Sequence, residues 1–139
     1  MLGKGLRLYK REKLCSVTAI DRLFAARSSR GEIISDRYGD VASALAYPIR
    51  MVFGTNRARG GAPVKFLISV PKKKLRRAVD RVTMRRRIRE AYRNARGSVE
   101  NIADTGIRTD VAFIYIADRL VDYSRIEKSM TRLINLLPQ

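Results

Sequence analysis

The 139-residue sequence predicts the α+β class: an α-β-β-α-β-α sandwich in which helices lie against a mixed sheet. Two observations set that class. Three segments carry apolar residues at helical spacing and three are short apolar runs bounded by turn residues, in an order that mixes the two kinds. There is no repeat, no low-complexity tract and no sign of a second domain. One domain spanning 1–139 is therefore expected, long enough for a modest core. Hydrophobic residues make up 45% of the chain, too many for a disordered tail.

Residues 1–15 form a basic arm with Lys4, Arg7, Lys10, Arg11 and Lys13. "SVTAIDRLFAAR" reads as a short helix that Ser16 can cap, with Val17, Ile20, Leu23 and Phe24 on its apolar face. Residues 28–46 contain Ser, Gly and Asp and read as a loop insertion. "YPIRMVFGT" reads as a strand starting after Pro48, with Ile49, Met51 and Phe53 on one side. "NRARGGAP" is a turn, and "VKFLISV" a second strand expected antiparallel to the first. A helix begins near Asp80 and runs to about Arg96, where Gly97 and Ser98 supply a stop. "DVAFIYIA" is nearly continuously apolar, so its strand should be central or buried on both faces. "YSRIEKSMTRLINLL" offers a capping box from Ser124 to Glu127. Its Ile126, Met130, Leu133, Ile134 and Leu137 follow helical spacing.

Charge bounds the function. The formal net charge is +17 and the pI about 11.0, which points to a polyanionic partner: nucleic acid first, an anionic membrane surface second. There is no histidine, which removes His-based acid–base catalysis and His-containing metal sites. Cys15 stands alone, so no internal disulfide forms and a reducing compartment is expected. Asp36, Asp40, Asp104 and Asp110 could hold magnesium, but their scatter along the chain favours surface roles. The longest apolar run, Val111 to Ala117, is far short of the roughly 20 residues that span a bilayer. No apolar stretch follows the charged N-terminus, so no signal peptide is read. A soluble, cytoplasmic chain is expected, with no membrane association and no obligate protein partner.

The densest charge lies in "PKKKLRRAVDRVTMRRRIREAYRNAR", residues 71–96, where twelve Lys or Arg face only Asp80 and Glu90. On a helical wheel starting at Arg81, Arg85, Arg86, Arg89, Arg93 and Arg96 fall between about 0° and 140°. Met84, Ile88, Ala91, Tyr92 and Ala95 fall between about 280° and 20°. The apolar stripe can dock on a sheet while the arginines face outward, and Glu90 can pair with Arg86 or Arg93. Like charges four residues apart cost a few tenths of a kcal/mol per pair, so the fold tolerates this stripe without gaining from it. Solvated faces usually mix signs; this one is the electrostatic footprint of phosphate binding. Guanidinium groups bridge phosphate oxygens bidentately and stack on bases. Composition alone leaves DNA and RNA open. No zinc-finger spacing or helix-turn-helix pair is present, and no G-x-x-G lies between two helices.

At "KFLISVPKKKLRRAVDRVTMRRRIREAYR" the chain resembles the protein subunit of bacterial ribonuclease P. That family's pattern is a strand ending in S-V-S-K-K, an Ala-Val pair, and a helix reading R-N-R-I-K-R-x-x-R-E. Ser69, Val70, Lys72 and Lys73 match the strand end, Ala78 and Val79 the pair, and Arg81, Arg85, Arg86, Ile88, Arg89, Glu90 and Tyr92 the helix. "EKLCSVTAIDRLFAAR" also looks like the family's first helix, with Phe24 at an aromatic position. Val82 and Thr83 replace the signature Asn and second Arg, Pro71 a usual Ser, and Ile20 an earlier aromatic; Arg76, Arg77 and Arg87 are candidates to compensate.

The resemblance implies a left-handed βαβ crossover, against the general right-handed preference. It implies endonucleolytic removal of the 5′ leader of precursor tRNA, with catalysis in the RNA subunit and magnesium bound mainly by that RNA. The implied partners are the catalytic RNA subunit and precursor tRNA. Lys72, Lys73, Lys74, Arg77, Arg81, Arg85, Arg86, Arg89 and Arg93 are assigned to the RNA subunit, although the lysines also suit a solubilising loop. A cleft between the first helix and the sheet is implied for the leader, with Ile20, Phe24, Phe53, Phe66 and Ile68 as its candidates. Core packing competes on about equal terms at Phe53 and Phe66; Phe113 and Tyr115 read as core. A ribosomal or other structural RNA-binding protein with no processing role is the alternative.

Overall fold

The computed structural model describes residues 13–14, 17–26, 34–36, 39–56, 64–95 and 108–137. The elements are α1 (Val17–Ala26), β1 (Ile34–Asp36), β2 (Gly39–Ala46), β3 (Ile49–Thr55), β4 (Val64–Ser69), α2 (Ala78–Ala95), β5 (Thr109–Tyr115) and α3 (Tyr123–Ile134). The strands form one mixed sheet in the order β1-β2-β3-β5-β4. All pairings are antiparallel except β4 with β5, which is parallel, so α2 lies on the connection between two parallel neighbours. The strand predicted to be central is central: every residue of β5 is buried, between β3 and β4. β4 does run opposite to β3, as expected, but β5 separates the two. Only the long-range pairing of β5 decides that order, and local sequence does not carry it.

Part of the segment expected to be a loop, 28–46, is strand. β1 and β2 pair from Ile34↔Val41 to Asp36↔Gly39, and β2 pairs with β3 from Val41↔Gly54 to Ala46↔Ile49. The sequence of β2, "GDVASALA", has little intrinsic strand preference; its ladder with β3 makes it a strand. Residues 28–33, 37 and 38 lie outside the described residues, as do 1–12, Ser16, Arg96, Gly97 and Ser98.

Strand alternation divides the core between the two faces of the sheet. On one face Ile49, Met51, Phe66, Val111, Phe113 and Tyr115 meet Met84, Ile88, Ala91 and Tyr92 of α2 and Ile126, Met130, Leu133 and Ile134 of α3. On the other, Val41, Val52, Ala112 and Ile114 meet Leu14 and Leu23, with Ile20 and Phe24 of α1 packed partly against them. Tyr92 stands between Phe66 and Phe113, its ring centroid 4.5 Å from the first and 5.5 Å from the second. The apolar stripe read for α2 is thus the one that docks.

The capping box expected at Ser124–Glu127 does not form. The helix begins earlier, at Tyr123, with Asp122 as N-cap and no side-chain cap bond. The Arg125 and Ile126 backbone N–H groups donate to the Asp122 carbonyl, so Ser124 already lies inside the first turn. Behind α3, the buried Tyr115 hydroxyl donates to the Arg119 carbonyl. Burial pushes its phenol up to about 12.

Candidate nucleic-acid interface

The loop leading into α2 sets which cations are available. The Lys74 and Leu75 N–H groups donate to the Pro71 carbonyl at 3.0 and 3.3 Å. The tight turn buries Leu75 and leaves Lys72, Lys73 and Lys74 exposed. Arg81 then donates to the carbonyls of Leu75 at 2.9 Å and Arg76 at 2.8 Å. Its guanidinium therefore fastens the turn to the helix and is only half-exposed, in place of the outward role predicted for it.

Further along α2 the arginines divide by position. Arg85, Arg86 and Arg89 are exposed, as are Arg76 and Arg77 before them. Arg93 is paired with Glu90, its Nε donating at 3.0 Å and its Nη2 making a shorter contact. That bond holds the Glu90 carboxyl below the usual carboxylate range. Of the two partners foreseen for Glu90, the structure selects Arg93, so Arg93 reaches an RNA only as half of an ion pair. Arg87 donates to the Val121 carbonyl at 2.7 Å and ties α2 to the segment before α3. Its guanidinium is thus engaged within the fold.

The exposed arginines overhang a groove of about 450 Å³ along the outer edge of β4. Phe66, Leu67, Ile68, Leu14 and Val82 line it, with Arg85, Arg86, Arg89 and Lys13 among its walls. The first stretch of chain supplies one side: Lys13 bridges Phe66, and the Leu14 N–H donates to the Phe66 carbonyl at 2.8 Å. An apolar floor under a cationic rim suits a polynucleotide, with guanidiniums on phosphates and a base face against the floor. Val82, where the family pattern has Asn, is 41% exposed in this groove, while the Thr83 hydroxyl donates back to the Val79 carbonyl. Sequence reasoning passed over Val82 as a site residue. The signal was available, since Val82 falls at about 100° on the wheel, amid the arginines.

The five candidates for a leader cleft do not come together. Ile20 and Phe24 lie with α1 on one face of the sheet. Phe53, Phe66 and Ile68 belong to the opposite face. Phe66 is 4% exposed, and its ring packs on Tyr92. Period-2 alternation is the reason: the residues of β3 and β4 that face α1 are Val52 and Leu67. Beside Ile20 and Phe24, the sheet offers Leu67, Ile114 and Ile116. The Arg22 guanidinium donates to the Thr55 carbonyl at 2.8 Å. It passes Gly54, where a Cβ would come within 2.8 Å of Val41 Cγ2 and 3.5 Å of Arg22 Nη1. That close approach sets α1 on the sheet.

No group of three or more His, Cys, Asp or Glu side chains able to hold a metal ion forms among the described residues. No helix among them is long and apolar enough to cross a membrane.

Comparison with known proteins bears on the family and the fold. The family model described as Ribonuclease P matches residues 41–137. The ribonuclease P protein components of two strains of Porphyromonas gingivalis are each 28% identical over 132 residues, covering 94% of this chain and 82% of theirs. Among solved structures, the RNase P protein of Staphylococcus aureus superposes with a TM-score of 0.58 at 16% identity, covering 90% of this chain and 94% of that one. The last likeness speaks for the fold.

Proposed function

Because the chain belongs to the ribonuclease P protein family, we propose that it is the protein subunit of a ribonuclease P ribonucleoprotein. In this reading it binds the catalytic RNA subunit and the 5′ leader of precursor tRNA and assists removal of that leader. The observation that carries the reading is the groove where Arg85, Arg86 and Arg89 rise over the edge of β4. These arginines, with Lys72, Lys73, Lys74 and Arg77, form one cationic flank that neutralises phosphates of the RNA subunit. The leader lies on the other face, where Phe24 and Ile20 stand beside Leu67 and Ile116 and offer apolar contact without demanding a base sequence.

Cleavage chemistry belongs to the RNA. Among the described residues no three His, Cys, Asp or Glu side chains gather to hold a metal ion; RNA phosphates would hold the magnesium, which would supply charge stabilisation for the cleavage. The protein's contribution is to bind, orient and lower the electrostatic cost of bringing two polyanions together.

Reconstitution with the cognate RNA subunit tests the reading. Expected is 5′ cleavage of precursor tRNA at magnesium concentrations too low for the RNA alone, weakened when Arg85, Arg86 and Arg89 are all changed to alanine. Equal cleavage with and without the protein at every magnesium concentration would overturn it.

A further inference from the structure

A second basic recess lies at the opposite margin of the helical layer, between α3 and the β2–β3 turn. Its volume is about 450 Å³, and Tyr47, Ser124, Arg125, Lys128 and Arg132 line it. At 100° per residue Arg125, Lys128 and Arg132 share a face about 60° wide, while Glu127 points roughly 130° from that face's centre, beside Tyr123. The recess itself has no acidic lining residue; the adjoining hollow adds Arg119 and one acid, Asp122.

Two contacts hold this surface in shape. The Ser129 hydroxyl donates to the Tyr47 carbonyl at 2.8 Å, fixing the turn to the helix. The Arg125 guanidinium lies 5.5 Å from the centroid of the Tyr47 ring, and Tyr47 remains 45% exposed. An arginine braced on an aromatic face is presented outward with less rotamer freedom to lose on binding. Among the described residues no carboxylate pairs with Lys128 or Arg132. α3 therefore gathers uncompensated charge on one side, as α2 does, and at a place the first groove does not reach.

We propose that this recess is a second docking site for an RNA backbone, so that the protein holds two RNA segments on opposite margins of one helical layer. The proposal rests on the reading of the chain as an RNA-subunit binder and adds a contact surface to it. A phosphodiester chain is the occupant that the charge complementarity favours. The lining is polar and cationic, with alternating arginine, lysine and hydroxyl groups, and offers no apolar floor for a protein helix.

The test is a titration of the RNA subunit against salt concentration with four proteins: wild type, a variant combining R85A, R86A and R89A, a variant combining R125A, K128A and R132A, and Y47A. Circular dichroism and thermal melting establish that each is folded. The α3 variant should bind about an order of magnitude or more less tightly at near-physiological salt. Its log-affinity against log-salt slope should be shallower by roughly two, the change expected on losing two to three phosphate contacts. Tyr47→Ala should show a smaller loss of the same kind. Wild-type affinity and slope in the α3 variant, with loss only in the α2 variant, would overturn the second site and leave the first standing. Absence of binding by the wild type would overturn both. A variant that binds RNA normally but loses a polyglutamate peptide bound by the wild type would overturn the assignment in favour of an acidic protein segment.

Discussion

Phe66 and Phe24 show how one residue type separates into two roles by the face it occupies. Phe66 is sealed against Tyr92, so Phe66→Ala should open a cavity and cost about 3–5 kcal/mol. Chemical denaturation of the free protein measures that loss. Stability within about 1 kcal/mol of wild type would mean the ring is not core. Phe24 is only half-buried beside α1's contact with the sheet. Phe24→Ala should weaken binding of leader-bearing precursor tRNA more than of mature tRNA, in the assembled ribonucleoprotein. Equal losses for both would remove Phe24 from the leader site. Tyr115 gives a pH signature. Burial raises its phenol from 10.0 to about 12, so the folded state keeps a proton that the unfolded chain releases. The stability this contributes is complete below about pH 10 and is lost as pH rises towards 12. In Tyr115→Phe the melting temperature should therefore fall less over that range than in wild type. Parallel curves would show that the phenol does not titrate differently on folding.

On α2 the same logic runs along a whole helix, where three arginines face solvent and others are built into the fold. Arg87 and Arg89 are two residues apart yet predict opposite phenotypes. Arg87→Ala removes a charged hydrogen bond to the Val121 carbonyl and should lower stability by about 1.5 kcal/mol, the low end for such bonds. Its RNA salt dependence should not change. Arg89→Ala should leave the fold intact and flatten the log-affinity against log-salt slope by about one. A flattened slope for Arg87→Ala, or none for Arg89→Ala, would show the division to be wrong. Much of this was legible from the sequence. Helical spacing separated Met84, Ile88, Ala91 and Tyr92 from the arginines, and continuous hydrophobicity identified β5. What could not be read was non-local. β2 is strand because β3 pairs with it, and Arg87 is engaged because the distant Val121 carbonyl meets it. The leader candidates in β3 and β4 failed differently: alternation was available, but nothing local said on which face α1 would lie.

Across the whole molecule, charge works for binding and against the fold. With a net charge of +17, the free protein repels itself, and the compact state bears more of that cost than the unfolded chain. Within α2, Arg89 has Arg85 and Arg93 four residues away and Arg86 three away; such like-charged neighbours each cost roughly 0.2–0.5 kcal/mol. Added salt screens this repulsion among exposed charges. It also removes the gain from displacing counterions when RNA binds. The two effects have opposite signs. Between low and moderate potassium chloride, the melting temperature of the free protein should rise while its affinity for the RNA subunit falls. Arg89→Gln should mimic both changes at fixed salt, stabilising the free protein by about 0.5 kcal/mol and weakening RNA binding. The same trade should hold for Arg132→Gln if α3 also carries an RNA contact, since its charge likewise has no carboxylate partner among the described residues. Melting curves and binding isotherms on the same preparations decide it. A melting temperature that falls with salt would mean that net attraction, not repulsion, governs the free surface, and the cationic flanks would then need a stabilising role within the fold.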